Sequence, residues 1–444
     1  MRDKMRYKMT FLGLGVSNFS VLKNVLQDNP EDFFVSSADL IAPEKRDFLS
    51  RHSIAFEEGL HTQRLLDTER LMISPSVNPD HEIYKQAKQK GIDIKTDIEL
   101  FLETKTPVHY IIAITGTNGK TTTVELIQHL LSLSHEAYAV GNIGYSPFEL
   151  INKDLSRAVL VFELSSFQIE HLKKTRQFFD LAGITNIAQD HLDWHGGYQA
   201  YKQAKLSLLQ CSKEAVLPVE LNGVKAYQYG ISDGLNGSVN EYTKQLIFSL
   251  PGRHGFVDLS KITLKGIHNL KNIALAALCC FLFGIDEQQI EKGLNTFVAG
   301  EHRLERFLEF NGRTYVNDSK STNAHSLISA IQSFQEPSKR VRLLAGAKDK
   351  GDDYTQLAKV IFNGCKKVYL CGESAQRLYA SISDSVEKQL FTNWHEAIQT
   401  AIKESKPGEV ILFSPGGSSF DLFENYKKRG EFFKEQVQSF VSLL

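Results

Sequence analysis

Compact apolar runs alternate with stretches whose apolar positions recur every three or four residues along most of this chain. The first pattern suits buried strands, the second helices packed against them. Near the start, runs at 7–14, 33–37 and 70–74 predict strands, and 19–27 predicts a helix. Ser74-Pro75 and Asn78-Pro79 mark a loop after the last of these strands. An amphipathic stretch at 97–103 leads into Lys105-Thr106-Pro107, where a first domain is expected to end. A second opens with the apolar run 110–114, a glycine turn and a helical pattern at 121–133. Further strands are predicted at 158–163 and 181–186, followed by a less regular segment, 214–264, of short strands and glycine turns. The helix expected at 269–283 carries Ala274, Ala276 and Ala277, small residues suited to close packing. Gly300-Glu301-His302-Arg303 begins a third region, with strands predicted at 314–317, 341–345, 367–371 and 409–414 and helices between. The domains so drawn are 1–103, 104–299 and 300–444, in an α/β fold of parallel sheets with helices on both faces. No repeat of solenoid period and no low-complexity tract interrupts the pattern.

Length agrees with that division, since 444 residues at about 150 per domain make about three domains. A content of 42% hydrophobic and 23% charged residues is that of a globular chain rather than a disordered one. The formal net charge of -1 offers no bulk field for nucleic acid or an anionic membrane, so any bound anion needs a local site. Cys211, Cys279, Cys280, Cys365 and Cys371 show neither CxxC spacing nor an even framework and read as free thiols in a reducing compartment. No apolar run has the length of a membrane span. The basic residues before Met9 and the apolar run after it imitate a signal peptide. However, the run is short, holds two glycines, and meets Ser17, Asn18 and Lys23 without a small-residue cleavage site. A cytoplasmic protein is expected.

Chemistry concentrates first at Gly116-Thr117-Asn118-Gly119-Lys120-Thr121-Thr122, between a buried strand and a helix. Glycines there let backbone N–H groups face phosphate oxygens at the positive end of the helix. Lys120 is placed to reach the β- and γ-phosphates, and the Thr121 hydroxyl to ligate Mg2+. The loop departs from the full P-loop pattern, because Ile114 stands at the earlier glycine position. Strand, loop, lysine and hydroxyls in register favour a phosphate loop over an ordinary glycine turn. Gly13-Leu14-Gly15-Val16-Ser17-Asn18 is weaker: Asn18 stands where a dinucleotide fingerprint needs its third glycine, and a packing turn explains it as well as a ligand loop.

Glu163 is expected at the C-terminal end of a strand, the edge where open α/β sheets bind ligands. It reads as a metal ligand or as a solvent-exposed strand end. Asn186, Asp190, His191 and Asp193 follow another strand and offer oxygen and imidazole ligands, although a single histidine is more often structural. Lys205 lies on an amphipathic stretch with Tyr201 and Leu208, and by default is a surface cation whose stem covers apolar neighbours.

Together with His268-Asn269, His302-Arg303 and Asn317-Asp318-Ser319-Lys320, the motifs at Gly116–Thr122, Glu163–Gln168 and Asp190–Asp193 resemble the Mur ligases, essentially over the entire chain. Gly141-Asn142-Ile143-Gly144, Gly346-Ala347-Lys348-Asp349-Lys350-Gly351 and the stretch from Ser414 to Gly430 narrow the resemblance to the branch that adds D-glutamate. The family implies a Rossmann-like N-terminal domain for a UDP-sugar, a central P-loop ATPase-type parallel sheet, and a C-terminal Rossmann-like domain.

The resemblance implies that ATP converts the carboxylate of UDP-N-acetylmuramoyl-L-alanine to an acyl phosphate. D-Glutamate attacks it through a tetrahedral intermediate, and ADP and phosphate leave. It implies a carbamate, made from CO2, on Lys205, which displaces the surface reading of that lysine. Two Mg2+ sites follow, the first held by Thr121 and Glu163, the second by Glu163, His191 and carbamylated Lys205. Lys120 stabilises the γ-phosphate within the ATP loop of Gly116, Thr117, Asn118, Gly119, Lys120, Thr121 and Thr122. Asn269 and Asn272 are implied at adenine, Arg303 and Lys320 at the phosphates, and Asp318 at the ribose. Thr322, Lys350, Ser419 and Tyr426 are implied around D-glutamate; the family often has Phe where Tyr426 stands. Val16, Ser17 and Ser74 are implied at the UDP-sugar and Asn142 at the muramoyl-alanine end. Ser76 replaces a usual glycine, and Ser36-Ser37 lack an acidic residue of some relatives, so the uridine contacts are expected to be partly rearranged. Closure of the third domain is the expected catalytic motion, and a monomer is expected. The rivals are another Mur-type or folylpolyglutamate-type amide ligase, a nucleotide-binding homologue without chemistry, and a simple P-loop kinase. The kinase leaves the third domain unexplained.

Overall fold

The computed structural model describes residues 7–26, 29–172, 176–221, 223, 225–262, 264, 266–298, 300–334, 340–349 and 354–442. The chain divides into two compact units, one of residues 1–261 with 271–296 and one of 262–270 with 297–444. Among the described residues the strands form sheets of five, nine and six, the first two sheets in unit 1.

In unit 1, β1 (Tyr7–Leu12), β2 (Phe33–Ser37), β3 (Ala55–Glu58), β4 (Thr68–Ile73) and β5 (Asp93–Lys95) form a parallel sheet in the order β3-β2-β1-β4-β5. The second sheet holds β6 (Tyr110–Thr115), β7 (Ala137–Gly141), β8 (Val159–Glu163), β9 (Phe179–Ile184) and β10 (Ser212–Pro218), then β11 (Tyr227–Gly230), β12 (Gly237–Asn240), β13 (Gln245–Leu250) and β14 (Arg253–Asp258). Its order is β14-β13-β12-β11-β10-β9-β6-β8-β7. Pairing is parallel from β7 to β12 and antiparallel where β12, β13 and β14 follow one another through short turns. One buried apolar cluster runs from Phe11, Phe33, Ile98 and Phe101 of the first sheet region to Val140, Phe148 and Phe162 of the second. Because the two sheets share that core, they belong to one compact unit.

Unit 2 holds β15 (Glu305–Phe310), β16 (Arg313–Asn317), β17 (Val341–Ala345), β18 (Cys365–Leu370), β19 (Glu387–Leu390) and β20 (Val410–Phe413), ordered β15-β16-β20-β17-β18-β19. Only the β15–β16 pair is antiparallel. Apolar clusters cover both faces, one around Val316, Leu343 and Leu412, the other around Tyr315, Leu344 and Phe413.

The parallel sheets expected from the pattern carry antiparallel strands at one edge, β13 and β14 within the less regular segment and β15 in unit 2. The turn before β16 shows why: Asn311 and Gly312 both have positive φ, 48° and 71°, the conformation that joins antiparallel strands tightly. Strands β3, β5, β7, β15 and β19 are absent from the pattern reading, and each is a sheet edge. An edge strand buries less of its surface, so its sequence lacks the continuous apolar run of a central strand. No described helix is long and apolar enough to cross a membrane, and all five cysteines are buried and outside any disulfide.

Candidate active site

Strand β6 runs into the Gly116–Gly119 loop, and the helix Lys120–Ser132 follows with Gly119 as its N-cap. Gly119 has φ 82°, and a Cβ there would run into the Asn272 carboxamide; a Cβ on Gly116 would run into the Thr185 hydroxyl. Both positions therefore require glycine. The segment after β9 fixes the loop from outside. Asn186 O accepts from Thr117 N–H at 2.9 Å, Asn186 Oδ1 accepts from Asn118 N–H at 3.1 Å, and Asn186 Nδ2 donates to Asn118 O at 2.9 Å. The Thr117 and Tyr201 hydroxyls lie 2.9 Å apart, and Ala188 N–H donates to Thr117 Oγ1 at 2.9 Å. Thr123 N–H to Gly119 O is a helical bond, so Thr121 and Thr122 lie in the first turn, where backbone N–H groups precede the intrahelical ladder.

Two lysines meet behind this loop. Lys120 Nζ donates to Gly116 O at 2.9 Å and Thr117 O at 2.8 Å, and Lys205 Nζ donates to the same Gly116 O at 2.8 Å. Lys205 lies on the helix Tyr198–Leu206, only 1% exposed, with its nitrogen 4.7 Å from the Tyr201 ring centre. The default surface reading of Lys205 is overturned, because its helix presents that face to the phosphate loop. Burial, and after it the charge of Lys120, push the Lys205 ammonium well below the usual lysine range, against Asp190 and Glu163.

Glu163 ends β8 and is 2% exposed, which removes the alternative of a solvated strand end. Its Oε1 accepts from Asn142 Nδ2 at 2.8 Å, and its backbone carbonyl accepts from Asn142 N–H at 2.8 Å. Its Oε2 is buried without a hydrogen-bond partner among the described residues. An unmatched buried carboxylate oxygen fits a hard cation. His191 has φ 51° and packs on Phe167 with ring centres 4.8 Å apart, its Nε2 3.6 Å from Asp190 Oδ2. Among the described residues, no three His, Cys, Asp or Glu side chains gather into a ready metal cluster.

At the C-terminal edge of the first sheet, Gly13 has φ 78° and Gly15 caps the helix Val16–Val25. Asn18 Nδ2 donates to Leu12 O at 3.2 Å and Gly13 O at 2.9 Å, so this side chain pins the turn where a third glycine was sought. Ser74 Oγ lies 3.5 Å from where a Cβ of Gly13 or Gly15 would sit, and Val16 is exposed. Val16, Ser17 and Ser74 are thereby brought together. Asn142 is held instead at Glu163.

In unit 2, Asp318 follows β16 and is buried; Oδ1 accepts from Leu304 N–H at 3.1 Å and Oδ2 from Ser414 Oγ at 2.7 Å. Burial pushes its carboxyl up to about 7 despite those donors. Arg303 sits in the turn between His302 and Leu304, whose φ values are 66° and 45°. Lys320 N–H donates to His302 O at 3.0 Å, and Lys320 Nζ lies 3.9 Å from the centre of the Tyr426 ring. Ser419 is 3% exposed, and its carbonyl accepts from Leu422 N–H at 3.2 Å and Phe423 N–H at 2.8 Å. Thr322 precedes the helix Ala324–Gln332, and Asn269 N–H donates to Gly266 O at 3.0 Å. Lys350 lies outside the described residues. Thr185 was not singled out from the sequence, and Tyr201 and Arg429 fell within stretches that were but received no role of their own, since the partners of all three are far away in the chain.

Three family profiles match in succession: the MurD N-terminal domain over residues 8–83, the Mur ligase middle domain over 114–280, and the Mur ligase glutamate ligase domain over 302–417. A UDP-N-acetylmuramoylalanine–D-glutamate ligase of Thermosipho africanus is 32% identical over 439 residues, covering 97% of this chain and 98% of the relative. One of Natranaerobius thermophilus is 33% identical over 469 residues, covering 98% of each. The chain belongs to the Mur ligase family, in its UDP-N-acetylmuramoylalanine–D-glutamate ligase branch.

Solved Mur ligases share the fold. MurC of Thermotoga maritima aligns with TM-score 0.63 at 17% identity over 97% of this chain and 99% of its own. A MurF ligase of Thermotoga maritima in complex with ADP aligns with TM-score 0.62 at 16% identity over 100% and 99%. The middle-domain match spans the phosphate loop, Glu163, Lys205, Asn269 and Asn272 of this Mur ligase, whereas the third match ends before Ser419 and Tyr426.

Proposed function

We propose that this chain joins D-glutamate to UDP-N-acetylmuramoyl-L-alanine with hydrolysis of ATP to ADP and phosphate, a step of peptidoglycan precursor synthesis. The observation that carries the reading is the phosphate loop with the half-buried Lys120 and the buried Lys205 on the Gly116 carbonyl, and the buried Glu163 close enough to act on Lys205. A carboxylate is a poor electrophile, so amide formation in water requires its oxygen to become a leaving group. Transfer of the γ-phosphoryl group makes the acyl phosphate; the D-glutamate amine adds to its carbonyl, and the tetrahedral intermediate expels phosphate. The protein's part is to position these groups and balance their charge.

In this reading the loop N–H groups and Lys120 hold the triphosphate. Lys120 exchanges two loop carbonyls for phosphate oxygens. Thr121 and Glu163 would hold one Mg2+, and Glu163, His191 and carbamylated Lys205 a second. Mg2+ would neutralise phosphate charge there. Burial favours the free-amine form of Lys205. That nitrogen adds to CO2, an N–C bond forms, one N–H proton passes to solvent, and an anionic carbamate replaces the cation. Asn269 and Asn272 serve adenine, Arg303 and Lys320 the phosphates, Asp318 the ribose. Thr322, Lys350, Ser419 and Tyr426 serve D-glutamate, and Val16, Ser17, Ser74 and Asn142 the UDP-sugar. Buried cysteines outside any disulfide suit the reducing cytoplasm as the place of action, and the chain acts as a monomer.

The test is phosphate release with UDP-N-acetylmuramoyl-L-alanine and D-glutamate, each omitted in turn, then with L-glutamate, meso-diaminopimelate and L-lysine in place of D-glutamate. Release that ignores either omission defeats the reading. For the carbamate, isotope-labelled bicarbonate should give a protein-bound carbamate NMR signal that disappears in Lys205→Arg; the same signal in both proteins removes that assignment.

A further inference from the structure

Arg429 lies in the first turn of the helix Tyr426–Val441 and is 1% exposed. Its Nε donates to Ser319 Oγ at 3.1 Å, Nη2 to Ser319 O at 2.8 Å, and Nη1 to Gly417 O at 3.0 Å. Every acceptor is neutral, and no carboxylate among the described residues pairs with it. Burial brings the guanidinium down to about 10, opposed only at longer range by Asp421 and Asp318. Removing such a cation from water costs several kcal/mol unless charge or hydrogen bonds offset it.

The same side chain fastens three segments. Ser319 Oγ accepts from Arg429 and donates to Tyr426 O at 2.8 Å, which ties the end of β16 to the start of the helix. Gly417 O brings in the segment after β20, next to Ser418 and Ser419. The neighbouring Gly430 has no room for a Cβ, which would meet the His302 imidazole, so the helix cannot slide without losing the contact. Lys320, Ser419 and Tyr426 therefore take their places from one guanidinium. D-Glutamate attacks with its amine deprotonated and is then a dianion. Such a ligand calls for cationic surroundings, to which a buried guanidinium contributes.

We propose that Arg429 is the positioning residue of the D-glutamate pocket: it sets the spacing of Ser319–Lys320, Gly417–Ser419 and Tyr426, and its uncompensated charge favours a dicarboxylate. The proposal rests on the D-glutamate reading above.

Arg429→Lys keeps the charge but loses the fork, and Arg429→Gln loses both. With folding confirmed by circular dichroism and melting, KM for D-glutamate should rise roughly tenfold in Arg429→Lys and further in Arg429→Gln, the scale of a charge-assisted hydrogen bond. KM for the UDP-sugar should stay within about twofold, and KM for ATP should rise by less than KM for D-glutamate, since Lys320 follows Ser319 in the chain. Arg429→Gln should also narrow the preference for D-glutamate over D-glutamine. A fall in kcat with all KM values unchanged, or an equal rise in all of them, marks a merely structural arginine and overturns the proposal. If the arginine variants do not fold, Ser319→Ala, which deletes one acceptor, should still raise KM for D-glutamate selectively; an unchanged KM overturns the proposal. Wild-type protein without D-glutamate-dependent phosphate release overturns the functional reading itself. Wild-type turnover with a KM indifferent to Arg429 overturns this inference alone.

Discussion

Two buried carboxylates, Glu163 at the C-terminal end of β8 in unit 1 and Asp318 just past the C-terminal end of β16 in unit 2, are treated oppositely by their surroundings. Glu163 uses one oxygen on the Asn142 amide and leaves the other unmatched. Asp318 has both oxygens engaged, by Leu304 N–H and the Ser414 hydroxyl. An unmatched buried oxygen is costly until a cation or donor reaches it, whereas a matched one is already rigid. The cations repeat the contrast. Lys120 and Lys205 crowd one carbonyl, which like charges tolerate poorly, while Arg429 is spread over three acceptors in two chain segments. Unit 1 holds a crowded pair of cations and an unmatched carboxylate oxygen, groups that the proposed phosphoryl transfer would let change partners. Unit 2 holds a fixed frame.

The largest test of that contrast is the pH dependence of stability. Burial raises Asp318 from its ordinary 3.8 to about 7, so the stability it contributes is complete below about pH 4 and is lost as pH rises through about 7. The loss is on the order of 4 kcal/mol. Asp318→Asn should flatten that part of the urea-unfolding stability curve, and an unchanged slope would break the picture of a buried carboxyl. Next, Lys120→Ala should lower phosphate release by roughly 10²-fold or more, the effect of losing one charge stabiliser. A near-wild-type rate would remove Lys120 from the phosphate site. Glu163→Gln keeps the shape and an acceptor for Asn142 but not the charge. The Mg2+ concentration for half-maximal rate should rise tenfold or more, roughly the lower bound for disturbing a metal's surroundings, and an unchanged titration would mean the open oxygen serves something else. The smallest effect is Ser414→Ala, about 1 kcal/mol by thermal melting for one neutral hydrogen bond to Asp318.

Inner strands such as β2 and β17 were legible to the residue, because burial on both faces leaves a compact apolar core of sequence, Phe33-Phe34-Val35 in one and Leu343-Leu344-Ala345 in the other. The edge strands β3 and β19 were not, since much of each stays in water and their sequences look like loops. Asn311-Gly312 is a hairpin signal in the sequence, but an alternation of strands and helices does not lead to the antiparallel β15 beside it. Among site residues, Gly116, Gly119 and Lys120 were readable from motif and spacing. The burial of Lys205 was not readable: its own helix pattern suggested a surface cation, and only the carbamate implied by resemblance set that reading aside.

By itself, then, the sequence determined the phosphate loop, the order of most elements and the family, because these depend on backbone conformations and spacings within a few residues. Tertiary structure alone decided that Lys205 points inward, that one oxygen of Glu163 stays open, and that Arg429 joins Ser319 to Gly417. The reason is distance along the chain: Lys205 meets Gly116 across 89 residues, and Arg429 meets Ser319 across 110. No local pattern encodes such a partner; only the packing of sheets and helices brings it into reach.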